Sequence, residues 1–300
     1  MVASIKEMKW GITGASGQLS KSLVDQLNLR EVSYVAWDKS GLDITDKSSI
    51  SVIAEASPDV LINCAALTNV DGAEDDLEAA VKVNRDGARN VAIAAKELNI
   101  PLVHISTDYV FSGNSGSPWK IEDETHPISN YGLSKLLGEK SIEETWPEKS
   151  IILRTAWLYG SHGKNFAKTI IRKALATKNE IRVVNDQKGQ PTTTNDLALQ
   201  ILACVEKVIP SGTYHATNSG EATWYEFACA LIELSGESSS RVNPVRSDEF
   251  QTKAKRPMYS VLDHSTWSNV GVKEMRDWRE ALEEIYPEIH RAVESEMSNG

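Results

Sequence analysis

The sequence predicts an α/β chain: a doubly wound parallel sheet of the Rossmann type, followed by a smaller α/β domain. Three observations carry that prediction. Short apolar runs alternate with amphipathic stretches through the first half, the pattern of strands crossed over by helices. A glycine-rich turn joins the first run directly to the first amphipathic stretch. The alternation loosens near Trp157, and 300 residues is a length at which one core gives way to two. We therefore divide the chain as 1–157 and 158–300, with segments of the second part able to return to the first sheet.

In order, strands are expected at 10–13, 33–37, 60–64, 102–105 and 151–154, where β-branched and other apolar residues cluster. Helices are expected between them at 19–29, 48–56, 77–98 and 131–144. Residues 108–130 carry Gly113, Gly116, Pro118 and Pro127 and read as a long loop, a length usually kept for function. The second part gives helices at 166–176, 196–208 and 224–234, a strand at 181–184, a broken polar stretch at 237–255, and a final amphipathic helix at 277–294. The tail 295–300 is expected to fray.

Composition narrows the partners. Lys and Arg number 32 against 42 Asp and Glu, a net charge of −10, which disfavours nucleic acid and anionic membranes. No apolar run reaches the roughly 20 residues of a membrane span. Residues 1–9 are too polar and too short for a signal peptide. Cys64, Cys204 and Cys229 are widely spaced, as buried thiols of a reducing compartment are, so the chain is expected to be cytoplasmic. None of the six histidines (His104, His126, His162, His215, His264, His290) forms a metal-ligand pair.

The turn after the first strand reads Thr13-Gly14-Ala15-Ser16-Gly17-Gln18-Leu19-Ser20. Gly14 permits the tight turn, and Gly17 lets backbone N–H groups approach a pyrophosphate at a helix N-terminus. Ser20 stands at the third position usually held by glycine. The second strand ends at Asp38, about 20 residues on, where an acid accepts from an adenosine ribose and favours NAD(H). Lys39 follows and could pair a 2′-phosphate, so NADH and NADPH both stay open. Asp43 and Ile44 are candidates for the adenine edge.

Tyr131-Gly132-Leu133-Ser134-Lys135 sets a phenol and an ammonium four residues apart on one helix face. A phenol near pKa 10 is a poor acid–base group at neutral pH, and a neighbouring cation lowers that value. Ketone reduction needs a hydride and a proton; Tyr131 can give the proton and Lys135 can hold the nicotinamide ribose. The fourth strand runs into Ser106-Thr107-Asp108 at the carboxyl end of the sheet, where such folds place ligands. Thr107 would donate to the substrate carbonyl oxygen.

These residues carry a resemblance. Thr13-Gly14-x-x-Gly17, Asn63-x-Ala65-Ala66, Ser106-Thr107 and Tyr131-x-x-x-Lys135 resemble the extended short-chain dehydrogenase/reductases. Residues 66–74 (ALTNVDGAE), 106–111 (STDYVF), 154–160 (RTAWLYG), Asn165-Phe166, Asn185-Asp186-Gln187 through Gly189-x-Pro191-Thr192, Arg256-Pro257 and Trp278-Arg279-x-Ala281-Leu282 resemble the dTDP-4-dehydrorhamnose reductases. The resemblance implies NADPH- or NADH-dependent reduction of the 4-keto group of a dTDP-6-deoxyhexulose to dTDP-L-rhamnose, a nucleotide sugar of carbohydrate biosynthesis. It implies Thr107, Tyr131 and Lys135 as catalytic residues. For the cofactor it implies Gly14, Ser16, Gly17, Gln18, Leu19, Asp38, Lys39, Asp43, Ile44, Asn63, Ala65, Ala66 and Thr68, together with Tyr131 and Lys135. For the dTDP-sugar it implies Val70, Ser106, Thr107, Trp157, Asn165, Gln187 and Arg256, with the Trp157 indole on the deoxysugar and the Arg256 guanidinium on the diphosphate.

Some members bind Mg²⁺ through glutamates at a dimer contact. The matching positions are Ser22 and Asn195, whose neutral oxygens make a poor Mg²⁺ site, so we expect no metal and a monomer or weak homodimer. A dehydratase is disfavoured, because Asp108 is followed by Tyr109 and not by a second carboxylate. Another 4-keto-6-deoxyhexose reductase, an epimerase, and a non-enzymatic regulatory subunit like that of methionine adenosyltransferase remain the alternatives.

Overall fold

The computed structural model describes residues 5–250 and 252–298; residues 1–4 of the N-terminal stretch and 299–300 of the tail lie outside the described residues. The first half lays down β1 (Lys9–Thr13), α1 (Gln18–Leu29), β2 (Ser33–Trp37), α2 (Ser51–Ala56), β3 (Val60–Asn63), α3 (Val70–Asp75), α4 (Leu77–Val81), α5 (Ala88–Glu97), β4 (Leu102–Thr107), α6 (Asn130–Thr145) and β5 (Ser150–Thr155). Every residue of β3 and β5 is buried, as expected of strands covered on both faces. The helix expected over 77–98 is divided: between α4 and α5 the chain widens into a π-turn at Lys82–Gly87.

The second half adds β6 (Leu158–Tyr159), α7 (Phe166–Ala176), β7 (Ile181–Val184), β8 (Lys188–Gly189), β9 (Thr192–Thr193), α8 (Thr194–Glu206), β10 (Gly212–His215), β11 (Ala222–Thr223), α9 (Trp224–Leu234), β12 (Val242–Val245) and α10 (Trp278–Ser298). The polar stretch 237–255 is not strandless: β12 pairs in parallel with β7. Helix α10 extends through the residues expected to fray, as far as Ser298.

The main sheet has six strands in the order β10-β5-β4-β3-β1-β2, all parallel. Strand order reverses at β1, whose neighbours are β2 and β3, so the crevice where this fold binds ligands opens at the carboxyl ends of β1 and β3. β10 comes from the second half and pairs with β5. Helix α8, which leads into it, buries Leu197, Ile201 and Cys204 in one core with Trp10, Ile12, Leu23 and Leu27. A second core on the other face gathers Ile53, Leu61, Val91, Ile142 and Trp146. The remaining helices of the second half close a separate core around Tyr159, Ile170, Phe227, Trp278 and Ile289.

Candidate active site

A cleft of about 760 Å³ opens over the carboxyl end of the sheet and is walled on its far side by residues 155–158, Lys164 and Trp224. Its floor is set by backbone geometry. Gly14 has φ +72°, and a Cβ there would lie 2.8 Å from the Ala65 backbone, so no larger residue fits the turn. Gly17 caps α1 with no side-chain hydrogen bond, leaving the first amides of a 12-residue helix facing the cleft. That arrangement suits a pyrophosphate: free N–H donors with the positive end of the helix dipole behind them.

On the sheet side, α6 carries Tyr131 and Lys135. The helix starts at Ser129, whose hydroxyl accepts from Gly132 N at 3.1 Å. It then lies so close to the turn after β4 that a Cβ on Gly132 would stand 2.2 Å from Tyr109 O. This contact brings Tyr131 beside Thr107 and edge-on to Tyr109, with ring centroids 5.7 Å apart. Lys135 is 2% exposed, and its ammonium donates to Ile105 O at 2.6 Å, with His104 Nε2 at 3.2 Å.

The electrostatics depart from the sequence expectation. Burial pushes Tyr131 up to about 12, opposed by its hydrogen bond with Thr107. Lys135 does not offset this, because its ammonium is turned toward Ile105 O and His104. Burial also drives Lys135 down to about 8, opposed by the nearby Glu139 and Cys64. Asp108 is 2% exposed and is raised to about 6, again chiefly by burial. Its Oδ1 accepts from Thr107 Oγ1 at 3.0 Å, and the Ser260 hydroxyl beside the carboxylate opposes the rise. Thr107 must therefore turn its hydroxyl from Asp108 to meet a substrate oxygen. Ser106 lines the cleft, but its hydroxyl donates to Glu139, which is locked to Arg154 at 2.7 Å in a buried ion pair.

The cleft gathers most of the residues named from the sequence: Gly14, Ser16, Gly17, Gln18, Leu19, Lys39, Asp43, Ile44, Ala65, Ala66, Thr68, Val70, Ser106, Thr107, Tyr131, Lys135 and Trp157. Five lie outside its lining. Asp38 is exposed, and its Oδ1 accepts from Ser40 N, Ser40 Oγ and Gly41 N at 2.6–3.0 Å, which holds the carboxylate on its own turn. Asn63 is fully buried beneath the floor, accepting from Thr13 Oγ1 at 2.6 Å. Asn165 caps α7 and donates to Gly160 O at 2.9 Å. Gln187 is buried immediately before β8. Arg256 forks onto Asp71 at 2.8 and 3.3 Å, behind Tyr109.

Other residues come to the cleft without having been singled out. Trp224 stacks on Trp157 with ring centroids 3.5 Å apart and planes 7° from parallel. Trp157 itself has φ +47°, a strained backbone for an indole. Lys164 lines the cleft beside the α1 end. Asn84, in the π-turn, accepts from Leu67 N at 2.8 Å and donates to Leu67 O and Ser134 Oγ at 3.0 and 2.9 Å, tying the cleft wall to α6. The Thr223–Glu226 capping box was the legible signal that Trp224 opens a helix. At the positions matching the metal-binding glutamates, Ser22 Oγ lies 2.7 Å from Thr194 Oγ1. Among the described residues no group of three or more His, Cys, Asp and Glu side chains could hold a common ion.

The model of the RmlD substrate binding domain family matches residues 8–291. The dTDP-4-dehydrorhamnose reductase of Streptomyces griseus is 41% identical over 286 residues, 94% of each chain. The dTDP-4-keto-6-deoxy-D-glucose reductase of Streptomyces niveus is 42% identical over 93% of this chain and 96% of its own. The crystal structure of dTDP-4-dehydrorhamnose reductase from Bacillus anthracis in complex with NADP superimposes with a TM-score of 0.90 at 40% identity, covering 94% of this chain and 99% of that one.

Proposed function

The chain belongs to the RmlD family of dTDP-4-dehydrorhamnose reductases, and we propose that it reduces the 4-keto group of dTDP-4-dehydrorhamnose to give dTDP-L-rhamnose. The observation that carries this reading is the meeting of Tyr131, Thr107 and Lys135 at one end of a cleft whose other end is the uncapped α1 turn.

When bound, a reduced nicotinamide dinucleotide supplies the hydride. The α1 amides and the Gly14–Gly17 turn would hold its pyrophosphate, with Lys164 as a nearby cation. Lys39, in the cleft lining, suits a 2′-phosphate, and the engagement of Asp38 with its own turn weakens the selection against one, so the cofactor is NADPH or NADH. Tyr131, held protonated by burial, gives its proton to the alkoxide that forms at C4. Thr107 donates to the same oxygen and orients it. Lys135, which lines the cleft one helical turn beyond Tyr131, would hold the nicotinamide ribose. The Trp157–Trp224 pair packs against the deoxysugar.

The Streptomyces niveus relative supports a second reading, in which the substrate is a different dTDP-4-keto-6-deoxyhexose handled by the same residues. One assay separates the cases. NAD(P)H absorbance decay with dTDP-4-dehydrorhamnose should be rapid in the parent and at least about a hundredfold slower in Tyr131→Phe. NMR of the product identifies the C4 configuration. Equal rates in the two proteins would overturn the role of Tyr131; no turnover with either cofactor and tight cofactor binding would favour a regulatory subunit.

A further inference from the structure

Beneath the cleft a line of buried polar side chains crosses the sheet. Thr13, Asn63 and His104 stand opposite one another in register on β1, β3 and β4. All three are fully buried. Thr13 Oγ1 is 2.6 Å from Asn63 Oδ1, Asn63 Nδ2 is 3.0 Å from His104 Nδ1, and His104 Nε2 is 3.2 Å from Lys135 Nζ. Polar groups this deep persist in a sheet only when each is partnered, and this line ends on Lys135.

We propose that His104 is a positioning residue for Lys135, accepting a hydrogen bond from its ammonium, and that the line through Asn63 to Thr13 reverses direction when Lys135 loses its proton. Hydrogen-bond complementarity along the line carries the coupling. A neutral imidazole has one donor nitrogen and one acceptor nitrogen. If the ammonium donates to Nε2, the ring proton sits on Nδ1 and must find an acceptor, so Asn63 presents Oδ1 to the ring and its Nδ2 to Thr13 Oγ1, whose hydroxyl proton turns off the amide. If Lys135 is an amine, Nε2–H donates to it, Nδ1 accepts from Asn63 Nδ2, and Thr13 donates to Asn63 Oδ1, which is the amide orientation in the structure. Between the two states one proton leaves Lys135 for solvent, the single ring proton moves from Nδ1 to Nε2, and the amide makes a half-turn. The ring itself stays neutral, since burial and the Lys135 charge both press its own protonation well below neutral pH. The other groups acting on the Lys135 ammonium are Cys64 just past β3 and Glu139 on α6 with its Arg154 partner on β5.

The relevance of this line to turnover rests on the reductase reading; the coupling itself does not. Long-range ¹H–¹⁵N spectra of the ring, assigned by loss of its signals in His104→Gln, test the coupling on the parent chain without turnover. The expected result is an Nδ1–H tautomer at pH 6.5 that becomes Nε2–H with a midpoint near pH 8, where Lys135 titrates. Nitrogen shifts that stay constant from pH 6.5 to 9.5 overturn the proposal, as does a ring that becomes an imidazolium. In kinetics, His104→Phe removes the acceptor and should lower kcat/KM about tenfold at pH 7, with a deficit that widens as pH rises because the ammonium is less well held. His104→Gln, whose amide oxygen can accept from the ammonium, should restore most of the rate. Equal profiles for Phe and Gln would assign His104 to packing alone. A shifting tautomer in a chain without reductase activity would sink the proposed reaction and leave the coupling standing.

Discussion

The two walls of the cleft are built on different principles. On the sheet wall, Thr107 and the Lys135 contacts with Ile105 and His104 are fixed by strand register and by one helix packed against the sheet. On the loop wall, Trp157 and Trp224 come from separate segments and hold each other by stacking, and outside the lining Arg256 is taken up by Asp71. A site half made of register is rigid before any ligand arrives. A site half made of side-chain pairs can exchange one partner for another.

The largest expected difference lies on the sheet wall. Lys135→Met should lower kcat by at least about a hundredfold and yet raise Tm. Burial holds Lys135 near 8 against an ordinary 10.5, so the folded chain binds this proton less readily than the unfolded one. Such a group costs stability below its folded value, and the cost fades as pH rises toward 10.5. The thermal gain of Lys135→Met should therefore be full below pH 8 and small at pH 10. A variant less stable than the parent at pH 7 would show that the hydrogen bonds of Lys135 outweigh its burial.

A smaller effect is expected on the loop wall. Trp224→Ala removes one member of the stack and should raise KM for the dTDP-sugar roughly two- to tenfold with kcat nearly unchanged. If kcat falls as much as kcat/KM, the loop wall shapes the transition state and the contrast between the walls fails. The smallest effect concerns Arg256. Asp71→Asn releases the guanidinium; if a diphosphate draws Arg256 from Asp71, KM should fall up to about fivefold, an effect that added salt reduces. A rise in KM would instead mark the pair as a structural clamp.

The same contrast governs what could be read in the sequence. The five strands of the first half and the start of α9 at Trp224 follow from apolar runs and capping residues, which are local signals. β10 is the counterexample: Gly-Thr-Tyr-His is short and half polar, and becomes a strand only because β5 offers it an edge. The π-turn likewise leaves no periodic mark, although it is what aims Asn84 at Leu67 and Ser134. Of the site, Tyr131, Lys135 and Thr107 sit at positions that a sheet dictates. Asp38, Asn165 and Arg256 are of the right chemical type for ligands, but near neighbours claim their polar atoms, and such competition is invisible in a list of residues. His104 reads as one more polar residue in a strand until its two flanking partners are seen.

The return of β10 to the edge of the first sheet sets a schedule for synthesis. A ribosome that has released residues 1–157 has not yet delivered α8 or β10, so β5 still has a bare edge and α1 an uncovered apolar face. Long-range pairing of this kind is slow and exposes strands to aggregation while it waits. The nascent chain must therefore carry its nucleotide-binding half unfinished until residue 215 has emerged. A fragment ending at residue 157 is accordingly a folding intermediate, and expressing it alone should yield an aggregate, not a small dinucleotide-binding protein.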